Sequence, residues 1–502
     1  MHSSLFHNIA HDNYSLLAFS REIGVGDEAR RTCGSVGPRL CTGSSRGSSI
    51  LLVASATPTT INHATKSEET VRSADTWQQN NDLSDDDTSN DNASTYSCYS
   101  ETQAGDGALA GSQDGSGESS EPGSGFEKYE EKLLQAIENA SDKAQQTRIN
   151  AFQTINEVLV HHYIPDFIDD RKVTLMDAVE KSLRRGKGAE QAWAARIIPL
   201  LVIQIEALED IGALVTVLKP VLLSTAQDGA AAYDARAKCC AALGLLCFVG
   251  VDDLSDVLPL MKVLQGIFAG SYLKGDNSPS GANAEAGALH SAALSAWALL
   301  LTLLPPSDVV ALTLAGGGNI VPSVHSLVGM LQSPHLDVRM VAGETIALLF
   351  ELGRQHDDEF LEEELPEVIE AAQKLATDAH KYRAKRDRKV QRATFRDVLH
   401  YLEEDVSPEI SIKFGREMLL LNSWGMHHQY TCLRNALGFG MNVHLSENLF
   451  VREVLQLGAK IDEPERLRKT VKAEQRFLNA AAFKARTITR GKNRDKRSFA
   501  IN

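Results

Sequence analysis

From Phe126 to about Asp378, apolar residues recur every three to four positions in stretches of about 10 to 18 residues, separated by Gly, Pro and Asp. That period places the apolar side chains on one helix face and predicts successive amphipathic α-helices, while the alternation that marks strands is scarce. Aligning the helices on a recurring small residue superposes Arg148 and Ala151, Ala192 and Ala195, Arg236 and Cys239, His290 and Ala293, and Arg339 and Ala342. The intervals are 44, 44, 54 and 49 residues, and the polar insert GDNSPSGANAEAG from Gly275 to Gly287 lengthens the third. A period of about 40 to 47 residues is that of armadillo and HEAT repeats. The predicted fold is therefore all-α, an armadillo/HEAT-like α-solenoid; a non-repetitive helical bundle is the competing reading.

In DVRMVAGETIALLFELG, Asp337 to Gly353, the residues Val338, Val341, Thr345, Leu348 and Leu349 share the inward face at helical spacing. The Asp-x-Arg of Asp337 and Arg339 repeats at Asp234 and Arg236. Such pairs suit the tying of neighbouring turns, while small residues such as Ala342 and Gly343 let helices approach. The acidic segment FLEEELPEVIE, Phe360 to Glu370, reads as the cap of the array. Each repeat of a solenoid contacts only its neighbours, which leaves a long concave face open for docking.

Charge changes the picture at both ends. Ser73 to Gly125 holds eleven acidic residues and no Lys or Arg, amid Ser, Gly, Asn and Thr. Too little apolar surface is available there to offset chain entropy, so residues 1–125 are read as a disordered, acidic, low-complexity region. From Pro464 to Asn502 there are twelve Lys or Arg against three acids, so the net charge of −15 conceals an acidic head and a basic tail. Seven cysteines, at 33, 41, 98, 239, 240, 247 and 432, form no C-x-x-C pair and point to a reducing compartment. The N-terminal residues lack a secretory h-region; Arg30, Arg31, Arg39 and Arg46 among serines look faintly like a transit peptide that starts too late. No apolar run reaches the roughly 18 residues of a membrane span, so no membrane partner is expected.

Two cationic surfaces are the candidate chemistry. In the segment Lys381 to Leu402, Phe395, Val398, Leu399 and Leu402 form an apolar stripe, and Lys385, Arg388, Lys389, Arg392 and Arg396 form a second stripe a quarter turn away. Neighbouring like charges on a helix cost a few tenths of a kcal/mol per pair, which an anionic partner relieves. The competing readings are a solvated face neutralised by Glu403 and Glu404, and a nuclear import signal. In the tail, Asp462, Pro464 and Glu465 suit a helix start. Leu467, Val471, Leu478 and Ala482 then share one face, opposite Lys469, Lys472 and Arg476. Beyond them Lys484, Arg486, Arg490, Lys492, Arg494, Lys496 and Arg497 extend the positive charge with Asp495 as the one acid among them. Such segments bind phosphates through counterion release and order on binding; a free tail is the alternative.

Trp424, His427, His428, Tyr430 and Phe439 cluster around Gly425, Gly438 and Gly440. Base stacking is one reading, but core packing with Ile412, Phe414, Met418, Leu419 and Leu421 is preferred. His428 and Cys432, four apart, are two ligands without a second pair, so no metal site is assigned. AGGGN at Ala315 to Asn319 lacks the Lys and Ser/Thr of a P-loop, and Cys239, Cys240 and Cys247 lie in an Ala/Leu-rich helix that suits inert thiols. No catalytic residue, cofactor site or small-molecule substrate is assigned.

The stretch SIKFGREMLLLNSWGMHHQYTCLRNALGFGMNVHLSENLFVREVLQLG, Ser411 to Gly458, together with KYRAKRDRKVQRATFRDVLHYLEE, Lys381 to Glu404, resembles the C-terminal half of the interferon-related developmental regulator family. The resemblance extends from about Phe126 into the basic tail. It implies residues 126–404 as the family's N-terminal, armadillo-like domain, 409–461 as its C-terminal helical domain, and 462–502 as a basic amphipathic helix and tail. It also implies a non-enzymatic regulator of gene expression, cytoplasmic and nuclear. The leading expectation is a factor that binds the ribosome and ribosomal RNA and represses translation by occupying transfer RNA and messenger RNA sites of idle ribosomes. The alternative is a transcriptional co-regulator that bridges transcription factors and chromatin-modifying complexes.

Overall fold

The computed structural model describes residues 124–460, except 252, 316–319 and 379–383, together with Lys484. The acidic head expected over residues 1–125, save its last two positions, and all but one residue of the basic tail beyond 461 lie outside the described residues. Helices follow one another in the order α1 (Ser124–Asn139), α2 (Gln145–His161), α3 (Pro165–Asp169), α4 (Lys172–Arg185), α5 (Ala189–Gln204), α6 (Leu208–Gln227) and α7 (Tyr233–Gly250). They continue as α8 (Leu254–Phe268), α9 (Ala284–Leu301), α10 (Pro306–Leu314), α11 (Val324–Met330), α12 (Leu336–Arg354), α13 (Leu365–Ala376) and α14 (Lys385–Glu404).

The helices stack in pairs. One row is α2, α5, α7, α9, α12 and α14, each against the next, and α1, α4, α6, α8, α11 and α13 each flank their own partner in that row. Members of the row are covered on several sides, which explains why α7 and α9 carry little amphipathic pattern: Ala235, Cys239, Cys240, Leu243, Leu246 and Cys247 of α7 are all buried. Ala284–Leu301 is long and apolar enough to span a membrane, contrary to the sequence reading. Its apolar residues are consumed in the array, with Ala293, Leu294, Trp297, Leu300 and Leu301 fully covered.

Four of the five aligned positions, all but Ala192, carry a polar side chain that holds neighbouring turns together. Arg148 of α2 forks onto Glu190 of α5 at 2.7 and 2.8 Å and donates to the Asp142 and Lys143 carbonyls. Arg236 donates to the Ala226 carbonyl, and Arg339 donates to the Ser333 carbonyl and to Gln391 of α14. His290, at the same position in α9, meets the Ser271 hydroxyl at 2.7 Å. Ala342 is fully buried, and a Cβ on Gly343 would lie 2.7 Å from the Phe395 ring, so α12 and α14 approach through a small residue. Gly244 does the same between α7 and α9, against Ala296.

The acidic Phe360–Glu370 segment leads into α13, which with α14 forms the last pair of the row, and Phe360 turns inward against Phe350. Three expectations are corrected. On the two helices with projected stripes, Val341 and Leu399 are only half-buried. The chain is also not wholly helical: β1 (Ile410–Phe414) and β2 (Glu417–Leu421) pair antiparallel, with Phe414 opposite Glu417. Gly415, at φ +52°, supplies the left-handed residue that this two-residue turn requires. Alternation then divides the expected core cluster, burying Phe414, Leu419 and Leu421 but leaving Ile412 half-buried and Met418 exposed.

After the hairpin come α15 (Trp424–Leu437), α16 (Met441–Glu447) and α17 (Leu449–Val454), with a 3-10 turn at Gly438–Gly440. This C-terminal block runs back along the row: α15 lies on α12, α9 and α5, and the Gly438–Gly440 turn reaches α2. Gly440 packs so tightly on the Val160 carbonyl that no Cβ fits. Part of the row is thus covered by the chain itself.

Candidate nucleic-acid interface

The first cationic stripe lies on α14, whose apolar face is held in the array by Phe395, Val398 and Leu402. Lys385, Lys389 and Arg396 are exposed, while Arg388 and Arg392 are half-buried. Ala384, the residue before the helix, provides no side-chain cap. The positive end of the helix dipole and the Lys385, Arg386, Arg388 and Lys389 charges therefore coincide, each cation there costing about 0.3–1 kcal/mol, with Asp387 the one acid of the first turn to offset them. An anion at this end is favoured by both the backbone N–H groups and the side chains. Of the second stripe, Lys484 is helical and exposed. Lys469, Lys472, Arg476, Arg486, Arg490, Lys492, Arg494, Lys496 and Arg497 lie outside the described residues.

The aromatic and imidazole cluster separates. Trp424, His427, His428 and Tyr430 are buried, whereas Phe439 is 81% exposed. The buried members fasten the C-terminal block to the row. His428 donates from Nε2 to the Ser295 carbonyl, with the Cys432 sulfur 3.6 Å away, and Gln429 donates to Thr302. His427 donates to the Pro408 carbonyl. Farther along, His444 sits between the Leu159 and Val160 carbonyls at 3.1 and 3.2 Å, and Asn448 donates to the Ile203 carbonyl. Among the described residues, no three His, Cys, Asp or Glu are grouped to hold a metal. Burial raises the Cys239, Cys240 and Cys247 thiols, the last to about 11, which makes them poor nucleophiles.

Acids on the row complete the junction. Glu351 of α12 accepts the Trp424 and Gly425 backbone N–H groups at 2.8 and 2.9 Å and the Ser407 hydroxyl at 3.0 Å. It caps α15 from outside the helix, beside the helix's own cap, Ser423. Burial raises the Glu351 pKa, and these three donors oppose the shift. Two turns earlier, Glu344 lines a small cavity with Thr394, Asp397, Pro408, Ile410, Trp424, His427 and His428. Burial pushes Glu344 up to about 7 and Asp397 to about 6. For His428, burial lowers the pKa, but Cys432, the Ser295 carbonyl and Glu344 outweigh it and raise it to about 9.

Sequence reasoning passed over Glu344, Glu351 and Asp397. The available signal was two acids seven residues apart, on one face of an otherwise apolar helix.

A family model described as "Interferon-related developmental regulator (IFRD)" matches residues 92–403, and one described as "Interferon-related protein conserved region" matches 448–498. The chain is 37% identical over 386 residues to Interferon-related developmental regulator 2 of Mus musculus, covering 76% of this chain and 86% of the mouse protein. It is 36% identical over 375 residues to Interferon-related developmental regulator 1 of Homo sapiens, covering 74% of this chain and 82% of the human protein. With one family model over residues 92–403, a second over 448–498 and relatives 36–37% identical over about three quarters of its length, the chain belongs to the interferon-related developmental regulator family.

Proposed function

We propose that this chain is a non-enzymatic, armadillo/HEAT-like regulator that binds ribosomes through ribosomal RNA and represses translation by occupying transfer RNA and messenger RNA sites of idle ribosomes. The observation that carries the reading is the uncapped start of α14, where Lys385, Arg386, Arg388 and Lys389, against the one acid Asp387, meet the positive end of the helix dipole, and where Lys385 and Lys389, with Arg396 two turns farther on, stay exposed. A phosphate backbone relieves that crowding. Inhibition in this reading is steric, with no chemical step. The C-terminal block covers much of the row of helices that a bridging scaffold would offer to other proteins, which supports the ribosomal reading over transcriptional bridging.

The test is the salt dependence of binding to purified ribosomes and to a single-stranded RNA oligomer. Lys385→Glu, Lys389→Glu and Arg396→Glu together should weaken binding. They should also make the logarithmic salt slope on the oligomer shallower by about 2, at roughly 0.7 for each phosphate that no longer meets a cation. Unchanged affinity and slope on both targets would remove α14 from the interface.

A further inference from the structure

The β1–β2 hairpin has one face in the core and one that, among the described residues, has no packing partner. On the outer face Ser411 lies opposite Leu420 and Lys413 opposite Met418. Met418 is 64% exposed and Leu420 46% exposed, so apolar side chains from one strand form an open strip. A two-stranded ribbon is marginal by itself, and an uncovered apolar face on it calls for an occupant.

The path of the chain indicates which one. Arg452, fully buried on α17, forks onto Glu417 at 3.1 and 2.7 Å and also donates to the Gly458 and Ala459 carbonyls at 2.9 Å each. Glu417 is the first residue of β2, next to Met418. Glu417 shares the face of Leu419 and Leu421, so the buried guanidinium fixes the exit of the chain, at Ala459 and Lys460, on the core-facing side of the hairpin at its turn end, one residue from the open strip. Residues 461–502 follow from that point. Leu467, Val471 and Leu478 come next and share a helix face, with Lys469, Lys472 and Arg476 opposite. At about 1.5 Å per residue, Leu467 to Leu478 spans about 16 Å as a helix, close to the length of a five-residue strand. The seven residues from Lys460 to Leu467 reach up to about 23 Å when extended, enough to pass round the edge of the two-stranded ribbon onto the strip. The conserved region matched at 448–498 also runs without a break from α17 through this segment.

We propose that residues 464–482 of this chain dock as an amphipathic helix on the outer face of the hairpin, with Leu467, Val471 and Leu478 against Met418 and Leu420. Docking covers the apolar strip and turns Lys469, Lys472 and Arg476 outward on the same side as Lys413. The tail's first cations thus become a fixed surface instead of a free tether, whatever polyanion they meet.

The test uses the full chain without nucleic acid, so its outcome is separate from ribosome binding. Hydrogen exchange of amides 466–480 is compared between the parent and the exposed-site variant Met418→Asp, Leu420→Asp. The parent should show protection in this segment, and the variant should lose at least tenfold of it while α2–α12 exchange as before. In parallel, Leu420→p-benzoylphenylalanine should photo-cross-link within one chain to residues 464–482, independently of protein concentration. Equal exchange in parent and variant overturns the proposal. So does cross-linking that is absent, directed elsewhere, or concentration-dependent and between two copies.

Discussion

Glu351 joins the C-terminal block to the array, and removing its carboxylate isolates that joint. Glu351→Ala deletes the acceptor for three donors: the Trp424 and Gly425 N–H groups and the Ser407 hydroxyl. Trp424 is 5% exposed, so its orphaned N–H costs about 1–3 kcal/mol. Loss of a carboxylate at the positive end of α15 adds up to about 2 kcal/mol. Relief of burying a charge, visible in the raised Glu351 pKa, subtracts from the sum. Ser423 still caps the helix through Met426, which limits the damage. The expected net cost is about 2 kcal/mol, confined to opening of the block, which corresponds to about 30-fold faster exchange of its amides. Hydrogen exchange with mass spectrometry should show this acceleration in Trp424–Leu437 and no change in Ala189–Gln204. Glu351→Gln keeps one carbonyl oxygen and should give an intermediate effect. Acceleration below about twofold in Glu351→Ala would refute the assignment of Glu351 as the external cap of α15.

Arg148→Ala leaves Glu190, 2% exposed, without its bidentate partner and should cost about 3–5 kcal/mol, read as a lower urea midpoint for the first repeats. Ala342→Leu should overpack its fully buried site on α12 by about 1–3 kcal/mol; unchanged thermal unfolding would contradict that burial. Glu344 and Asp397 have folded pKa values raised to about 7 and about 6, so the folded state holds their protons more tightly than the unfolded chain. Their contribution is full below about pH 4, the unfolded range, and is lost as pH rises through 6 and 7. Glu344→Gln should therefore gain about 1–3 kcal/mol relative to the parent between pH 5 and pH 8, and an equal difference at both pH values would refute this.

The array was legible because its signals are local. Helical periodicity and a small residue recurring at the repeat spacing mark the row of helices; Arg236 and Arg339 of the Asp-x-Arg pairs tie turns through the Ala226 carbonyl and through the Ser333 carbonyl and Gln391, and Arg148 adds a tie to Glu190. The hairpin was missed because SIKFGREMLLL is short, and its apolar run hides the alternation until Gly415 turns the chain. The fold-back of the C-terminal block depends on pairs such as His444 with Leu159 and Glu351 with Trp424, far apart in sequence and made partly to backbone carbonyls and amides. A side chain that recognises backbone leaves no partner residue type to find. Of the candidate interface, the charge of α14 was readable, but the half-burial of Arg388 and Arg392 and the exposure of Phe439 required the packing.

The most direct test of the functional account is sedimentation of the native protein through a sucrose gradient, with and without RNase. The parent should travel with ribosomal particles and return to the top after RNase digestion. A chain carrying Lys385→Glu, Lys389→Glu and Arg396→Glu with Lys469→Glu, Lys472→Glu and Arg476→Glu should remain at the top in both cases. Parent protein that stays at the top in untreated extract, or a six-site variant that co-sediments with ribosomes as fully as the parent, would contradict the account.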